Sequence, residues 1–303
     1  MVSPTSLTGS AVAEPEAVHD AVTTWYAAHA RDLPWRRETA TAWHVLVSEI
    51  MLQQTPVERV VPVYEAWIAR WPTPGALAAE PSGEAVRAWG RLGYPRRALR
   101  LHAAAVAIGE HHDGVVPDDL DQLRALPGVG EYTAAAVAVF AYGRRHAVLD
   151  TNVRRVLARL LEGAGQPAPS LTRPERLLAA SVLPPDDETA AVWSIGLMEL
   201  GALVCTARTP SCAACPVRGA CRWYAAGRPP YEGPARRGQT WAGTDRQCRG
   251  RLLAVLREAE GAVAGAALRA VWDDTTQRER ALDGLLDDGL VVTAGPDTYA
   301  LPG

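Results

Sequence analysis

Four cysteines fall within seventeen residues, Cys205, Cys212, Cys215 and Cys221, in the spacing C-x6-C-x2-C-x5-C. No other feature of the chain restricts its fold as much. Four thiolates so close in sequence can serve one centre only if the backbone loops around it. Such a loop suits a cubane iron–sulfur cluster or a tetrahedral zinc ion, and spacing does not choose between them. The fifth cysteine, Cys248, lies outside the set. In a chain of 303 residues with 48% hydrophobic content the core does not need a disulfide framework. The cysteines therefore point to a metal site in a reducing compartment, and the expected location is the cytoplasm.

Around this loop the sequence reads as helix. Apolar residues recur at helical spacing over about 14–30, 43–53, 56–70, 83–90, 95–112, 118–125, 131–142, 151–162, 173–183 and 187–203. Proline and glycine pairs such as Pro72-Thr73-Pro74-Gly75 and Pro184-Pro185 punctuate them. The fold class is mostly α. Residues 1–13 read as a disordered tail, 14–224 as the helical body and 225–240 as a linker by composition. In the remaining module, 241–303, three helical patterns (246–258, 264–272, 275–289) precede two candidate strands, VVTAG and TYALP. Three helices and a hairpin resemble a winged-helix module, and a plain capping subdomain fits the pattern equally well. No apolar run is long enough to span a bilayer, so no membrane association is expected.

The net charge of −3 does not mark a nucleic-acid binder, but its distribution is uneven. From Cys205 to Arg251 nine arginines (208, 218, 222, 228, 236, 237, 246, 249, 251) face two acids, Glu232 and Asp245. Such an excess can form a phosphate-facing patch or a solvated basic linker. All 31 basic residues are arginine. Without a lysine amine, Schiff-base chemistry is open only to the N-terminus.

Three local features can carry chemistry. The first is the helix Trp43-His44-Val45-Leu46-Val47-Ser48-Glu49-Ile50-Met51-Leu52, apolar on nearly every face, with Glu49 as its one carboxylate. Burial makes an unpaired charge costly, so Glu49 is expected either to be salt-bridged or to hold its proton to higher pH, as a general acid must. The second is Leu126-Pro127-Gly128-Val129-Gly130 before a helix starting at Glu131. Its glycines permit a close backbone approach, and the free amides of the helix start can bind a phosphate. The third is Asp150, in Leu149-Asp150-Thr151-Asn152-Val153. At a helix start it can act as an N-cap, as an anion facing a cationic transition state, or as both.

Together, SEIMLQQT (48–55), RLGY (91–94), LPGVGEYTA (126–134), LDTNV (149–153) and the cysteine spacing resemble the adenine DNA glycosylases of the MutY family, in the helix-hairpin-helix superfamily that includes endonuclease III. The resemblance covers about residues 20–224. It implies a helix-hairpin-helix DNA glycosylase with two helical domains flanking a DNA cleft. These would be a six-helix barrel at about 31–145 and a cluster domain formed by the N-terminal helix and about 146–224. It also implies a [4Fe–4S] cluster on Cys205, Cys212, Cys215 and Cys221, and a double-stranded DNA substrate with adenine opposite 8-oxoguanine or guanine. Cleft enzymes of this size commonly act as monomers, and a monomer is the expectation.

By motif, Glu49 would protonate adenine, Asp150 would stabilise the oxocarbenium-like sugar, and Asn152 would support the carboxylates. Tyr132 stands where endonuclease III carries its Schiff-base lysine, which implies a monofunctional enzyme. Gln54, Thr55, Leu92 and Tyr94 match residues that wedge into the base stack. Arg31, Leu33, Trp35, Arg36 and Val57 match the lining of the adenine pocket. Gly128 and Gly130 belong to the hairpin that meets the backbone.

The chain departs from the family pattern in three places. Tyr94 is followed by Pro95 rather than a second tyrosine, and Ile195 stands ten residues before Cys205, where glutamate or glutamine is common. The 66 residues from Gly238 to Gly303 are too few for the usual Nudix-like domain, and their pattern is helical first. Two alternatives remain: a thymine–guanine mismatch glycosylase of the same superfamily, and an iron–sulfur DNA-binding protein without catalysis.

Overall fold

The computed structural model describes residues 15–231, 233 and 241–303. The expected tail (1–13), and residues 232 and 234–240 of the expected linker, with Arg236 and Arg237, lie outside the described residues. In chain order the helices are α1 (Pro15–His29), α2 (Ala42–Leu52), α3 (Val57–Arg70), α4 (Pro74–Ala78), α5 (Ser82–Trp89), α6 (Arg96–His111), α7 (Leu120–Ala125) and α8 (Glu131–Tyr142). They continue with α9 (Thr151–Leu157), α10 (Arg173–Ser181), α11 (Asp187–Leu203), α12 (Arg222–Ala225), α13 (Asp245–Glu258), α14 (Gly265–Arg269) and α15 (Thr275–Asp287). Three short strands, β1 (Val263–Ala264), β2 (Val292–Gly295) and β3 (Thr298–Ala300), lie in the last module, and short 3-10 turns occur at Pro34–Arg36, Cys212–Ala214 and Arg218–Ala220.

Two elements differ from the expectation for physical reasons. The Thr73-Pro74 pair, read as punctuation, opens α4 instead: the Thr73 hydroxyl accepts from the Ala76 amide at 3.2 Å, and Pro74 occupies the first helical position, where its missing N–H costs nothing. The helix expected over 151–162 is regular only to Leu157, and Ala158–Glu162 forms a π-helical turn. Among the described residues, none of the helices is long and apolar enough to cross a membrane.

The chain divides into two compact units, residues up to 31 with 138–234, and 32–137 with 235–303. In the first, α1 and α9 pack on α11 around a core of Val22, Trp25, Val153, Val156, Leu157, Trp193, Leu197 and Leu200. Gly201 allows the close approach of α9 and α11, since a Cβ there would lie 2.7 Å from the Asn152 Cβ. The same unit carries the cysteine loop, and Cys205, Cys215 and Cys221 pack against its core.

The second unit is built around α2, which is buried on nearly every side. Its start is capped by Thr41 and His44, whose Nδ1 accepts from the Thr41 amide at 2.7 Å. Trp67, Trp71 and Trp89 meet edge to face, with centroids 4.7 and 5.8 Å apart, and all three are fully buried. Burial of each such side chain contributes about 2–3 kcal/mol before entropy. Residues 241–303 belong to this unit. They run helix, strand, helix, helix, strand, strand, and close a three-stranded antiparallel sheet in the order β1-β3-β2. The expected hairpin is β2 and β3, with a bulge between Thr293 and Gly295, while β1 was not legible in so short a segment.

Candidate active site

In the second unit the candidate residues gather at the end of α2 and at two turns beside it. Glu49 is 5% exposed, and the Tyr132 hydroxyl donates to its Oε2 at 2.9 Å. Tyr132 is held there by the turn that starts α8. Gly128 takes a φ of +80°, and a Cβ at that position would lie 2.8 Å from the Arg100 Cβ, so both conformation and space require glycine. Among the described residues nothing beyond its chain neighbours lies within 4 Å of where a Gly130 Cβ would be, and both glycines are exposed.

The turn after α2 puts Gln54 in the left-handed region, at φ +56°, and leaves its side chain exposed. Thr55 is buried, and its hydroxyl reaches the Leu92 carbonyl at 3.4 Å. Leu92 itself is buried, while Tyr94, four residues beyond Gly90, is 52% exposed at φ +48° with the Arg97 guanidinium 4.5 Å above its ring. Leu33 and Trp35 are buried in this unit, and Trp35 meets Tyr64 edge to face at 5.1 Å. Arg36 and Val57 are half-buried. Of the four residues expected to wedge into DNA, two thus present themselves at the surface and two support them from below.

In the first unit Asp150 caps α9. Its Oδ1 accepts the Val153 amide at 2.6 Å, and its Oδ2 accepts the Asn152 side-chain amide at 2.8 Å. Burial pushes its carboxyl above the ordinary aspartate range, against the pull of these donors and of the Arg155 charge.

Arg155 is a residue that sequence reasoning missed. Its guanidinium is nearly buried and donates to the Asn152 Oδ1 at 2.8 Å, the Gly201 carbonyl at 2.7 Å and the Cys205 carbonyl at 2.8 Å. It fixes which way the Asn152 amide points, and so presents the Nδ2 donor to Asp150. One arginine thereby ties the cysteine loop to the carboxylate through a continuous set of hydrogen bonds. Nothing in the sequence distinguishes it from the other arginines except its place one helical turn after Asn152.

Arg31, expected at the adenine pocket, is engaged within the first unit. It forms a bidentate pair with the fully buried Glu199, at 2.6 and 3.0 Å, and its backbone amide adds a third bond to the same carboxylate at 3.2 Å. Leaving Glu199 without this partner would strand a buried charge.

The four cysteines are free thiols, each half-buried. Cys215 is pushed up to about 11 by burial and by the neighbouring charges of Cys205, Cys221 and Cys212, so all four share one locality. Arg159, stacked 4.4 Å over Trp223, donates to the Cys205 sulfur at 3.3 Å and to the carbonyls of Thr206 and Ala207 at 2.8 and 3.1 Å. Among the described residues no three His, Cys, Asp or Glu side chains form a group that could hold a single metal ion. The basic stretch is shared out between the units: Arg208, Arg218, Arg222 and Arg228 are exposed on the first, while on the second Arg249 is paired with Asp288.

Comparison with known proteins identifies relatives of the chain. Residues 47–179 match the HhH-GPD superfamily of base excision DNA repair proteins. The chain is 54% identical over 281 residues to an adenine DNA glycosylase of Mycobacterium tuberculosis, covering 92% of this chain and 91% of the relative. It is 56% identical over 280 residues to an adenine DNA glycosylase of Mycolicibacterium smegmatis, covering 92% and 94%. Among solved structures, a thermostable thymine-DNA glycosylase superimposes with a TM-score of 0.62 at 27% identity, over 70% of this chain and 97% of the other.

Proposed function

The chain belongs to the adenine DNA glycosylases of the HhH-GPD superfamily, and on that footing we propose that it removes adenine mispaired with 8-oxoguanine or guanine from duplex DNA. It is a base excision repair glycosylase, a hydrolase of N-glycosidic bonds. The adenine reading rests on the adenine DNA glycosylase relatives, and the observation that carries its hydrolytic chemistry is the Tyr132 hydroxyl on the buried Glu49 carboxyl at 2.9 Å. A phenol, not an amine, follows the glycine turn, so the site is equipped for proton transfer without a covalent lysine intermediate.

In this reading the base is flipped out of the duplex, and Glu49 delivers a proton to the adenine ring as the glycosidic bond lengthens. Asp150, whose oxygens accept from the Val153 amide and the Asn152 side chain, faces the positive charge that develops on the sugar. This division between an acid and an anion is the logic of glycoside hydrolysis. Leu33, Trp35, Arg36 and Val57 line the space for the flipped base. By motif Arg31, secured by Glu199, also takes part in holding the base. Gln54 and Tyr94 enter the stack over Thr55 and Leu92, and the Gly128–Gly130 turn meets a phosphate through its amides.

The four cysteines suit a [4Fe–4S] cluster: they are free, gathered in one locality, and shielded by Arg159, whose charge offsets the thiolates. A multi-iron group also needs its ligands spread more widely than a single ion does. When bound, the cluster supplies a rigid centre for the loop from which Cys205 meets Arg155 and Arg159. The protein is placed in the cytoplasm, where such thiols stay reduced, and acts as a monomer.

Single-turnover base release from duplexes bearing adenine opposite 8-oxoguanine, adenine opposite guanine and thymine opposite guanine, followed by alkali, tests the proposal. Strand cleavage at adenine that depends on the alkali step is the expected result. The likeness to a thymine-DNA glycosylase favours a second reading, and thymine release as the faster reaction would select it.

A further inference from the structure

The turn 90–95 is the most conformationally demanding segment of the second unit. Gly90, Gly93 and Tyr94 all take positive φ, at +53°, +87° and +48°. The Trp89 indole holds it from below by donating to the Gly93 carbonyl at 2.9 Å, and Arg59 donates to the Arg91 carbonyl. Both flanks of this turn are gripped by residues 241–303.

On the leading flank, α5 and α13 exchange arginines. Arg257 of α13 donates to the Val86 carbonyl at 2.8 Å, and Arg87 of α5 donates to the carbonyls of Arg257 and, at 2.6 Å, Ala259. Each guanidinium caps the other helix where its last carbonyls lack partners. Arg257 pays for this position: burial draws it down to about 10, and its Nη2 is buried without a hydrogen-bond partner. At the start of α5 the Gly83 amide donates to the Pro302 carbonyl at 2.8 Å. On the trailing flank Arg96, the first residue of α6, pairs with Asp288 at 3.1 Å, and Asp288 is anchored in turn by Arg249.

We propose that residues 241–303 act on duplex DNA by bracing the 90–95 turn from both sides, so that Tyr94 is already set in its inserting geometry, with Arg87, Arg257 and Asp288 as positioning residues. The inference rests on the reading of Tyr94 as a stack-entering residue. A module that served only to bulk out the fold has no need of a buried, carboxylate-free guanidinium aimed at the end of α5. Nor does it need a second contact across the turn.

The test is a double-mutant cycle with Tyr94→Ala and Asp288→Ala in the full chain with its cluster loaded. Asp288 is partly exposed, so its truncation leaves folding intact, and Arg257→Gln tests the brace on the other flank of the same turn. Three readouts are taken: affinity for a duplex with adenine opposite 8-oxoguanine, affinity for an undamaged duplex, and the single-turnover rate at saturating enzyme. Asp288→Ala is expected to weaken mismatch binding about tenfold and leave undamaged-duplex binding and the saturated rate within about twofold. Combined with Tyr94→Ala, it should add no further loss. If Tyr94→Ala weakens mismatch binding and the two losses multiply, or if Asp288→Ala and Arg257→Gln bind normally, the reading of Tyr94 stands and the bracing is overturned. If Tyr94→Ala itself leaves mismatch binding unchanged, the reading of the turn fails and takes the inference with it.

Discussion

Glu49 and Asp150 are both buried carboxyl groups, but their surroundings differ. Glu49 sits in a helix of Trp43, Val45, Leu46, Val47, Ile50 and Met51, where a neutral group is at ease, and it takes a hydrogen bond from Tyr132. Asp150 sits at the mouth of a helix, with N–H donors on both oxygens and the Arg155 guanidinium behind Asn152. The first is mainly apolar, whereas the second sets N–H donors against the cost of burial, which still raises the Asp150 carboxyl above its ordinary range. In the proposed mechanism these environments divide the work of acid and anion between two carboxyl groups of like chemistry.

The largest effect expected from breaking this contrast is at Glu49. Glu49→Gln keeps the volume and removes the proton donor, so single-turnover adenine release should fall by at least about 10³-fold while duplex affinity stays within a few-fold. Near-normal release would remove Glu49 from the chemistry.

Asp150→Asn comes next. Asparagine caps a helix as well as aspartate does, so only the charge is lost, and release should slow by about 10²–10³-fold. Thermal stability should hold or rise. Because burial raises the folded-state value of Asp150 above 3.8, the folded protein binds its proton more tightly than the unfolded chain does. This group therefore costs stability at neutral pH, and the cost is relieved as pH falls through the raised value. A clear drop in the melting temperature of Asp150→Asn would mean that its charge holds the fold.

A smaller effect should follow from Arg155→Leu, which leaves buried carbonyls at Cys205 and Gly201 without their donor and frees the Asn152 amide. About 2–3 kcal/mol of stability should be lost, with lower iron content and a slower release step measured on the same preparation. Arg155→Lys should restore part of the stability but not the amide orientation. A variant with full iron content and full rate would show that Asp150 does not depend on this link.

Gly128→Ala should have the mildest consequence. A positive φ costs a non-glycine residue about 1–2 kcal/mol, and the Arg100 side chain must also shift. Weaker duplex binding with an unchanged saturated rate is expected, and an affinity unaltered from the parent would free the turn from any part in holding the backbone.

Much of this was legible in the sequence because it is local. The all-round apolar character of 43–52 placed Glu49 in a buried helix, and the position of Asp150 before Thr151-Asn152-Val153 announced a cap. The contacts that tune these groups were not legible. Arg155 reaches Cys205 across 50 residues, Arg31 reaches Glu199 across 168, and Arg257 reaches Val86 across 171. In a chain whose 31 basic residues are all arginine, composition cannot say which of them is buried or which carbonyl it meets. The resemblance implies that Thr55 and Leu92 enter the base stack, and their burial follows from packing that spacing alone does not specify.

The pH dependence of single-turnover adenine release, compared between the parent and Asp150→Asn, tests the division of labour most directly. The account predicts that the parent loses rate as pH falls through a value above the ordinary aspartate range, and that this acid limb disappears in the slower Asp150→Asn protein. An acid limb that persists unchanged in Asp150→Asn, or a parent rate that does not fall with pH, would contradict the assignment of Asp150 as the ionised partner of an acidic Glu49.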